Sequence, residues 1–592
     1  MRVQPVFLCT LLAAPAAAQV TELASLGPAG ALGDGNSVRL ALSPDARFVA
    51  FSSAATNLVS GDTNGKRDVF LRDRLAGTTV RVSVSSASAE GDLDSDVPAL
   101  TPDGRYVAFA SGATNLVPGD TNNFGDVFVR DVQLGTTVRV SVSSAGLQAD
   151  SHAYAPSISA DGRYVVFLSG ATNLVPGDTL GWPDVFLHDL VTGTTERVNV
   201  SSAGAEANQS AISAAISADG GCVVFDSSAT NLVGGDSNGF ADVFVRELAS
   251  GTTLRVSLAG AATQSNHVSE APSISADGRY VAFESYASNF DPGDTNGLAD
   301  IYVRDRVALT TTRASLSSAG AQPDMGCWVP RISPDGRSVA FSSNSATLVA
   351  QDTNGTSDVF VRDLELGLTQ RVSVATNGAQ ADGPSSECAL SADGRFAAFM
   401  SAATNLVPGD TNNRVDAFLR DRRANGATSL CDPGSAGVIA CPCANPPAGV
   451  GRGCDNSSAS GGARLMAAGI AYLAQDSLLF TTGGENPVAL SILVQGDTLA
   501  PAGLVFGQGV RCVAGVLKRL YAKSAQGGSI QAPDPSGGDP SVSARSSALG
   551  DPIQPGESRW YFVYYGDPSV LGGCPAASTF NTTPSVRIDW QP

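Results

Sequence analysis

The stretch Thr101-Pro102-Asp103-Gly104-Arg105-Tyr106-Val107-Ala108-Phe109, followed by Asp126-Val127-Phe128-Val129-Arg130-Asp131, decides the fold. Pro, Asp and Gly in that order suit positions i+1 to i+3 of a type I turn, because Pro presets φ and Gly tolerates the exit geometry. The turn aspartate recurs at Asp45, Asp103, Asp161, Asp219, Asp277, Asp335 and Asp393, each 58 residues after the last. The second motif opens at Asp68, Asp126, Asp184, Asp242, Asp300, Asp358 and Asp416, at the same spacing. Seven copies of constant length imply one repeated supersecondary unit. Four strands are legible in copy two, at 98–100, 105–109, 126–130 and 137–142. The middle two are apolar at consecutive positions, so both faces of their sheet must be covered. Radially repeated four-stranded blades supply that cover.

At these residues, over roughly 36 to 421, the chain resembles the TolB-like, WD40-like propellers built of PD40-type repeats. The resemblance implies that the Pro-Asp-Gly strand is innermost in each blade. It departs in having seven copies where TolB has six, and in its long loop, so TolB's partners do not carry over.

Ring closure is also legible. The seventh copy ends in a degraded Ala427-Thr428-Ser429-Leu430, where most copies have Arg-Val-Ser-Val. Counting 58 back from Thr79–Val84 lands on Thr21-Glu22-Leu23-Ala24-Ser25-Leu26. That segment is expected to serve as the missing outer strand against 416–420. The expected class is all-β: a seven-bladed propeller at 19–425, a linker at 426–440, and a small disulfide-stapled β-sandwich-like domain at 441–592. Residues 1–18 read as a signal peptide, with an apolar run and Ala16-Ala17-Ala18 before the cut. The expected address is therefore secreted, periplasmic or extracellular.

Across 592 residues, 37 Lys+Arg oppose 56 Asp+Glu, a net charge of −19. Such a surface repels phosphate backbones and anionic lipid, which argues against nucleic-acid partners, and no apolar run is long enough for membrane insertion. From Asp432 onward there are 11 acidic and 9 basic residues, so nearly all the net charge lies on the repeats.

The long loop carries the most suggestive chemistry. Its candidate ligands are Asp62, Asn64 and Asp68; Asp120, Asn122 and Asp126; Asp236, Asn238 and Asp242; Asp294, Asn296 and Asp300; Asp352, Asn354 and Asp358; and Asp410, Asn412 and Asp416. Oxygen ligands at alternate positions, a Gly turn and a second carboxylate suit Ca²⁺, the one cofactor expected. The same pattern is satisfied by Asx and Asn-Gly turns without metal. Copy three departs, with Leu180 in place of Asn.

Catalytic motifs are scarce. His152, His188 and His267 fall at unrelated repeat positions, and no Gly-x-Ser-x-Gly elbow occurs. Before the innermost strand, one equivalent position holds Asp96, Tyr154, Ile212, Glu270, Trp328 and Ser386. Tyr154 and Trp328 could stack on a sugar or grip a peptide side chain, with Asp96, Glu270, His152 and His267 as polar anchors. Drift in an unconstrained loop explains the same variety. After Leu430 six cysteines follow, at 431, 441, 443, 454, 512 and 574, and an exported address favours disulfides over zinc. Cys441-Pro442-Cys443-Ala444-Asn445, Gly453-Cys454-Asp455-Asn456-Ser457 and the ending Phe580 to Trp590 resemble a C-terminal module of exported bacterial proteins, which brings no activity with it. Cys327 and Cys388 could bridge neighbouring blades if close enough.

The expectation is an exported monomer that binds or scaffolds, presenting a propeller face to a carbohydrate or an envelope protein. The alternative is a polysaccharide-active lyase or glycosidase working through acidic residues at the channel mouth.

Overall fold

A computed structural model describes residues 20–350, 352–364, 367–422, 433, 438, 440–441, 445, 447, 452–460, 462–468, 476, 478–534, 538–554, 557–567 and 579–590. The signal-peptide segment, the degraded strand at 427–430, most of the linker, and Cys431, Cys443 and Cys574 lie outside these residues. The chain divides into two units, one spanning Val20–Arg422 and one holding the described residues of Arg423–Pro592.

The first unit contains seven four-stranded antiparallel sheets. In the second of these, Ser95–Leu100, Tyr106–Ser111, Asp126–Asp131 and Thr136–Arg139 pair in sequence order. The first strand begins three residues earlier than the sequence suggested. Its register against the second strand shifts between Asp96 and Ala99, as a β-bulge does. The seventh sheet takes Ser385–Leu390, Phe396–Ser401 and Asp416–Asp421 from the end of the repeats, and its fourth strand is Thr21–Leu23. Thr21 lies opposite Arg420 and Leu23 opposite Phe418.

The turn works as its composition demands. Thr101 Oγ1 donates to Asp103 Oδ1 at 2.6 Å, and the same oxygen accepts the Arg105 amide at 3.0 Å. Gly104 has φ +67°, and a Cβ there would lie 2.7 Å from the Phe48 ring of the preceding copy, so only glycine fits. Within each sheet a buried aromatic pair faces across the middle strands, as Phe109 and Phe128 do at 5.8 Å. The remaining apolar positions knit neighbouring sheets together. Ala50, Val69 and Leu71 of the first share a core with Val107, Phe109 and Phe128 of the second. Val49, Phe51 and Phe70 of the first share another with Met400 and Ala417 of the seventh.

The second unit has a five-stranded sheet of Leu490–Gly496, Lys518–Ser524, Ser558–Gly566, Phe580–Thr582 and Val586–Asp589. A three-stranded sheet and a hairpin accompany it. Leu465, Phe480, Leu493, Tyr561, Val563 and Trp590 share its core. The strand reading did not anticipate the helix Val542–Ala548, whose N-cap Ser541 accepts the Ala544 amide. Cys441 and Cys454 form a disulfide with Cα atoms 5.7 Å apart, and Cys512 is also disulfide-bonded. Cys222, Cys327 and Cys388 are free thiols, so Cys327 and Cys388 do not bridge.

Candidate functional site

Each long loop delivers its two aspartates to one point, the first from the loop and the second from the start of the third strand. There, in six of the seven copies, the arginine that opens Arg-Val-Ser-Val inserts its guanidinium. Arg81 Nη1 lies 3.1 Å from Asp62 and 3.2 Å from Asp68. Arg139 lies 3.1 Å from both Asp120 and Asp126. Arg197 bridges Asp178 and Asp184, Arg255 bridges Asp236 and Asp242, Arg313 bridges Asp294 and Asp300, and Arg371 bridges Asp352 and Asp358, at 2.8 to 3.6 Å. The six pairs thus already hold a cation that belongs to the chain. The loop asparagine turns its nitrogen to the carboxylate: Nδ2 of Asn64, Asn238, Asn354 and Asn412 donates to Asp68, Asp242, Asp358 and Asp416 at 2.8 to 2.9 Å. Asn122 and Asn296 direct theirs to the Ala149 and Pro323 carbonyls. The second aspartate is buried and in six copies accepts the hydroxyl of a serine two residues beyond the fourth strand, as Asp126 Oδ1 does from Ser141, while in the third copy Asn199 Nδ2 donates to Asp184 instead. Burial pushes the Asp62 carboxyl up to about 6 despite the charge of Arg81. The arginine was visible in the sequence as a residue 13 places after the second aspartate, present in six copies only.

The residues expected at a channel mouth sit on the first strand of each sheet rather than in a connection before it. Asp96 faces Ala110, Tyr154 faces Leu168, Glu270 faces Glu284 and Trp328 faces Ser342. The next residue is left-handed in six of the seven copies, with φ of 46° at Arg39, 51° at Val97, Ala155 and Ala271, 55° at Val329 and 47° at Glu387. Non-glycine residues resist that conformation, and it persists here because the bulge and its neighbours fix it. In the fourth copy the equivalent residue, Ser213, is not left-handed and its amide is held by a carboxylate. Asp226 accepts from the amides of Ile212, Ser213 and Ala271 and from the Ser213 hydroxyl.

Asp96 is neutralised by an ion pair with Arg67. Glu270 belongs to a trio with Asp226 and Glu284. Burial pushes all three carboxyls up, Glu284 to about 7, with Glu270 adding to the rise at Glu284 and Asp226 to that at Glu270. Glu270 was legible in the sequence; Asp226 and Glu284 were missed. Their signal is an acid at a second-strand position held elsewhere by Ser52, Ala110, Leu168, Ser342 and Met400.

Two of the three histidines pack on long-loop rings, while His188 is buried on the strand Asp184–Asp189 with Nδ1 2.9 Å from Thr195 Oγ1. His152 accepts the Gly125 amide at 2.8 Å and meets Phe124 edge-on at 5.1 Å. Exposed His267 stacks on Phe240 at 4.7 Å and lies 5.6 Å from Tyr286. Phe124, Trp182 and Phe240 occupy one equivalent loop position in three consecutive copies, a recurrence that the metal reading of the loop passed over. Trp182, Phe240 and Tyr286 are 44%, 38% and 41% exposed.

No family model matches the chain, and no curated protein matches it. Among solved structures it is similar to TolB from Acinetobacter baumannii, at 17% identity and a TM-score of 0.32 over 58% of this chain. The match spans 65% of that protein's length. It is also similar to oligogalacturonate lyase from Vibrio parahaemolyticus, at 13% identity and a TM-score of 0.40 over 68% of this chain and 97% of that one. An oligogalacturonate lyase in complex with manganese gives 13% identity and a TM-score of 0.42 over 68% of this chain and 96% of that one. At these identities and TM-scores the activities of those proteins do not carry over to this chain.

Proposed function

We propose that the seven sheets are the blades of one closed propeller and that the protein is an exported binding or scaffold protein, presenting its long-loop face to a carbohydrate. The observation that carries this reading is the exposed ring cluster of Phe240, His267 and Tyr286, in which His267 stacks on Phe240 and lies tilted against Tyr286. Large aromatic faces left in water lose favourable burial, and flat apolar faces beside hydrogen-bonding groups suit the C–H face and hydroxyls of a sugar. Phe124 and Trp182 at the equivalent loop position extend the same surface chemistry to neighbouring copies. Export is supported by the disulfide Cys441–Cys454. Among the described residues no helix is long and apolar enough to cross a membrane.

The test is a panel of soluble polysaccharides titrated against the purified chain, with F240A/Y286A as the comparison. The expected result is binding to at least one glycan that weakens tenfold or more in the double variant while unfolding is unchanged. Equal binding by both proteins would overturn the reading. The Asp226, Glu270 and Glu284 trio supports a second reading, a polysaccharide-active enzyme with Glu284 as its proton donor or acceptor. Glycan cleavage lost in E284Q would establish it.

A further inference from the structure

We propose that Asp410 and Asp416 form a single divalent-cation site, suited to calcium, in the seventh long loop, where each of the other six loops carries its own arginine. The argument is a comparison within the chain. Arg81 lies opposite Phe70 and Arg139 opposite Phe128, and each reaches back from there to its aspartate pair. In the seventh sheet the outer strand comes from the N-terminal segment, and the residue opposite Phe418 is Leu23. The guanidinium is therefore missing, while the two carboxylates remain.

A second partner is missing too. Six copies place Glu90, Gln148, Glu206, Gln264, Gln322 or Gln380 beside the arginine, and the equivalent residue before the seventh pair is Leu32. Glu90 and Glu206 also bind the loop threonine, and Gln148, Gln322 and Gln380 accept its amide. With both replaced by leucine, no group of the described residues takes the arginine's place.

The consequence falls on Asp410. It is 7% exposed, and neither of its carboxylate oxygens has a hydrogen-bond partner; both oxygens of Asp62 are in the same position, but Asp62 has its ion pair with Arg81 at 3.1 Å, and Asp410 has none with any described residue. Asp416 is fully buried and keeps the contacts of its counterparts, accepting from Ser25 Oγ at 2.6 Å and from Asn412 Nδ2 at 2.8 Å. Its Oδ2 lacks only the donor that arginine supplies elsewhere. A buried carboxylate pair without a counter-charge is costly, and the nearby charge of Asp382 adds to the cost. The exposed Arg414 exerts its charge on Asp34. Two hard carboxylates in an exposed loop suit a divalent cation that completes its shell with carbonyls and water.

The test uses the full chain, stripped of metal and titrated with calcium chloride, followed by calorimetry and by thermal unfolding. One equivalent should bind with a dissociation constant on the order of 10⁻⁴ to 10⁻³ M and raise the melting temperature saturably, with magnesium doing less. Asp410→Asn should abolish the calcium response without lowering the metal-free melting temperature, since the amide removes a buried charge. Leu23→Arg should also abolish it, because it restores the internal cation, and should itself raise the metal-free melting temperature. Asp120→Asn, in an arginine-filled loop, should leave the calcium response intact. No calcium response in the wild type, or a response that survives both Asp410→Asn and Leu23→Arg, would overturn the site. Either of those two variants suffices if the other fails to fold.

Discussion

Glu270 lies directly opposite Glu284 across the two inner strands of the fifth sheet. Like charges so placed repel, and burial raises the cost of ionising either one. A carboxyl whose folded-state pKa lies above its unfolded value stabilises the fold fully below the unfolded value and loses that contribution as pH rises through the folded value. With Glu284 moved from 4.5 to about 7, the chain is expected to lose stability between about pH 4.5 and 7. Glu284→Gln should flatten this slope and unfold at a higher temperature than wild type at pH 8. Identical slopes in thermal unfolding from pH 5 to 8 would remove Glu284 as the cause.

The arginine in each filled loop is expected to be a large stabilising element only because its partners are buried. Arg139→Leu leaves Asp120 and Asp126 without their counter-charge and should cost about 3–5 kcal/mol in denaturant unfolding. Adding Asp120→Asn to that variant should recover part of the loss. A triple variant no more stable than Arg139→Leu, with Asp126→Asn included, would show that the cost lies in packing.

The N-terminal strand should matter as much as any internal one. Ser25 Oγ supplies the donor to buried Asp416 Oδ1, so Ser25→Ala leaves that oxygen unsatisfied and should cost about 1–3 kcal/mol. Deleting residues 20–27 exposes the edge of Asp416–Asp421 and should lower the melting temperature further. An unchanged melting temperature in the deletion would mean that the strand contributes no stability.

Reduction should act on the second unit alone. Cys441 and Cys454 close a loop with a sequence separation of 13, for which a disulfide typically contributes about 2–4 kcal/mol. The double variant C441S/C454S should therefore shift one of two calorimetric transitions. A shift of both, or of neither, would contradict this.

The repeat itself determined the secondary structure. A fixed 58-residue spacing, a Pro-Asp-Gly turn and apolar runs at 106–109 and 127–129 left four strands per copy as the one consistent arrangement. The same spacing placed Thr21–Leu23 beside 416–420, because backbone pairing follows register and register repeats with the chain. Side-chain partners across long separations were another matter. The paired aspartates looked like cation ligands, and six of the pairs hold a guanidinium from the neighbouring strand, a contact that depends on which face of that strand the arginine leaves. Glu270 was legible as an unusual residue, yet its pairing with Glu284 and its nearness to Asp226 depend on a bulge and on the packing of one sheet against the next. Period and turn chemistry act locally along the chain and are written in it. Burial, counter-charge and the pKa of a carboxyl are set by groups that meet only after the sheets have packed.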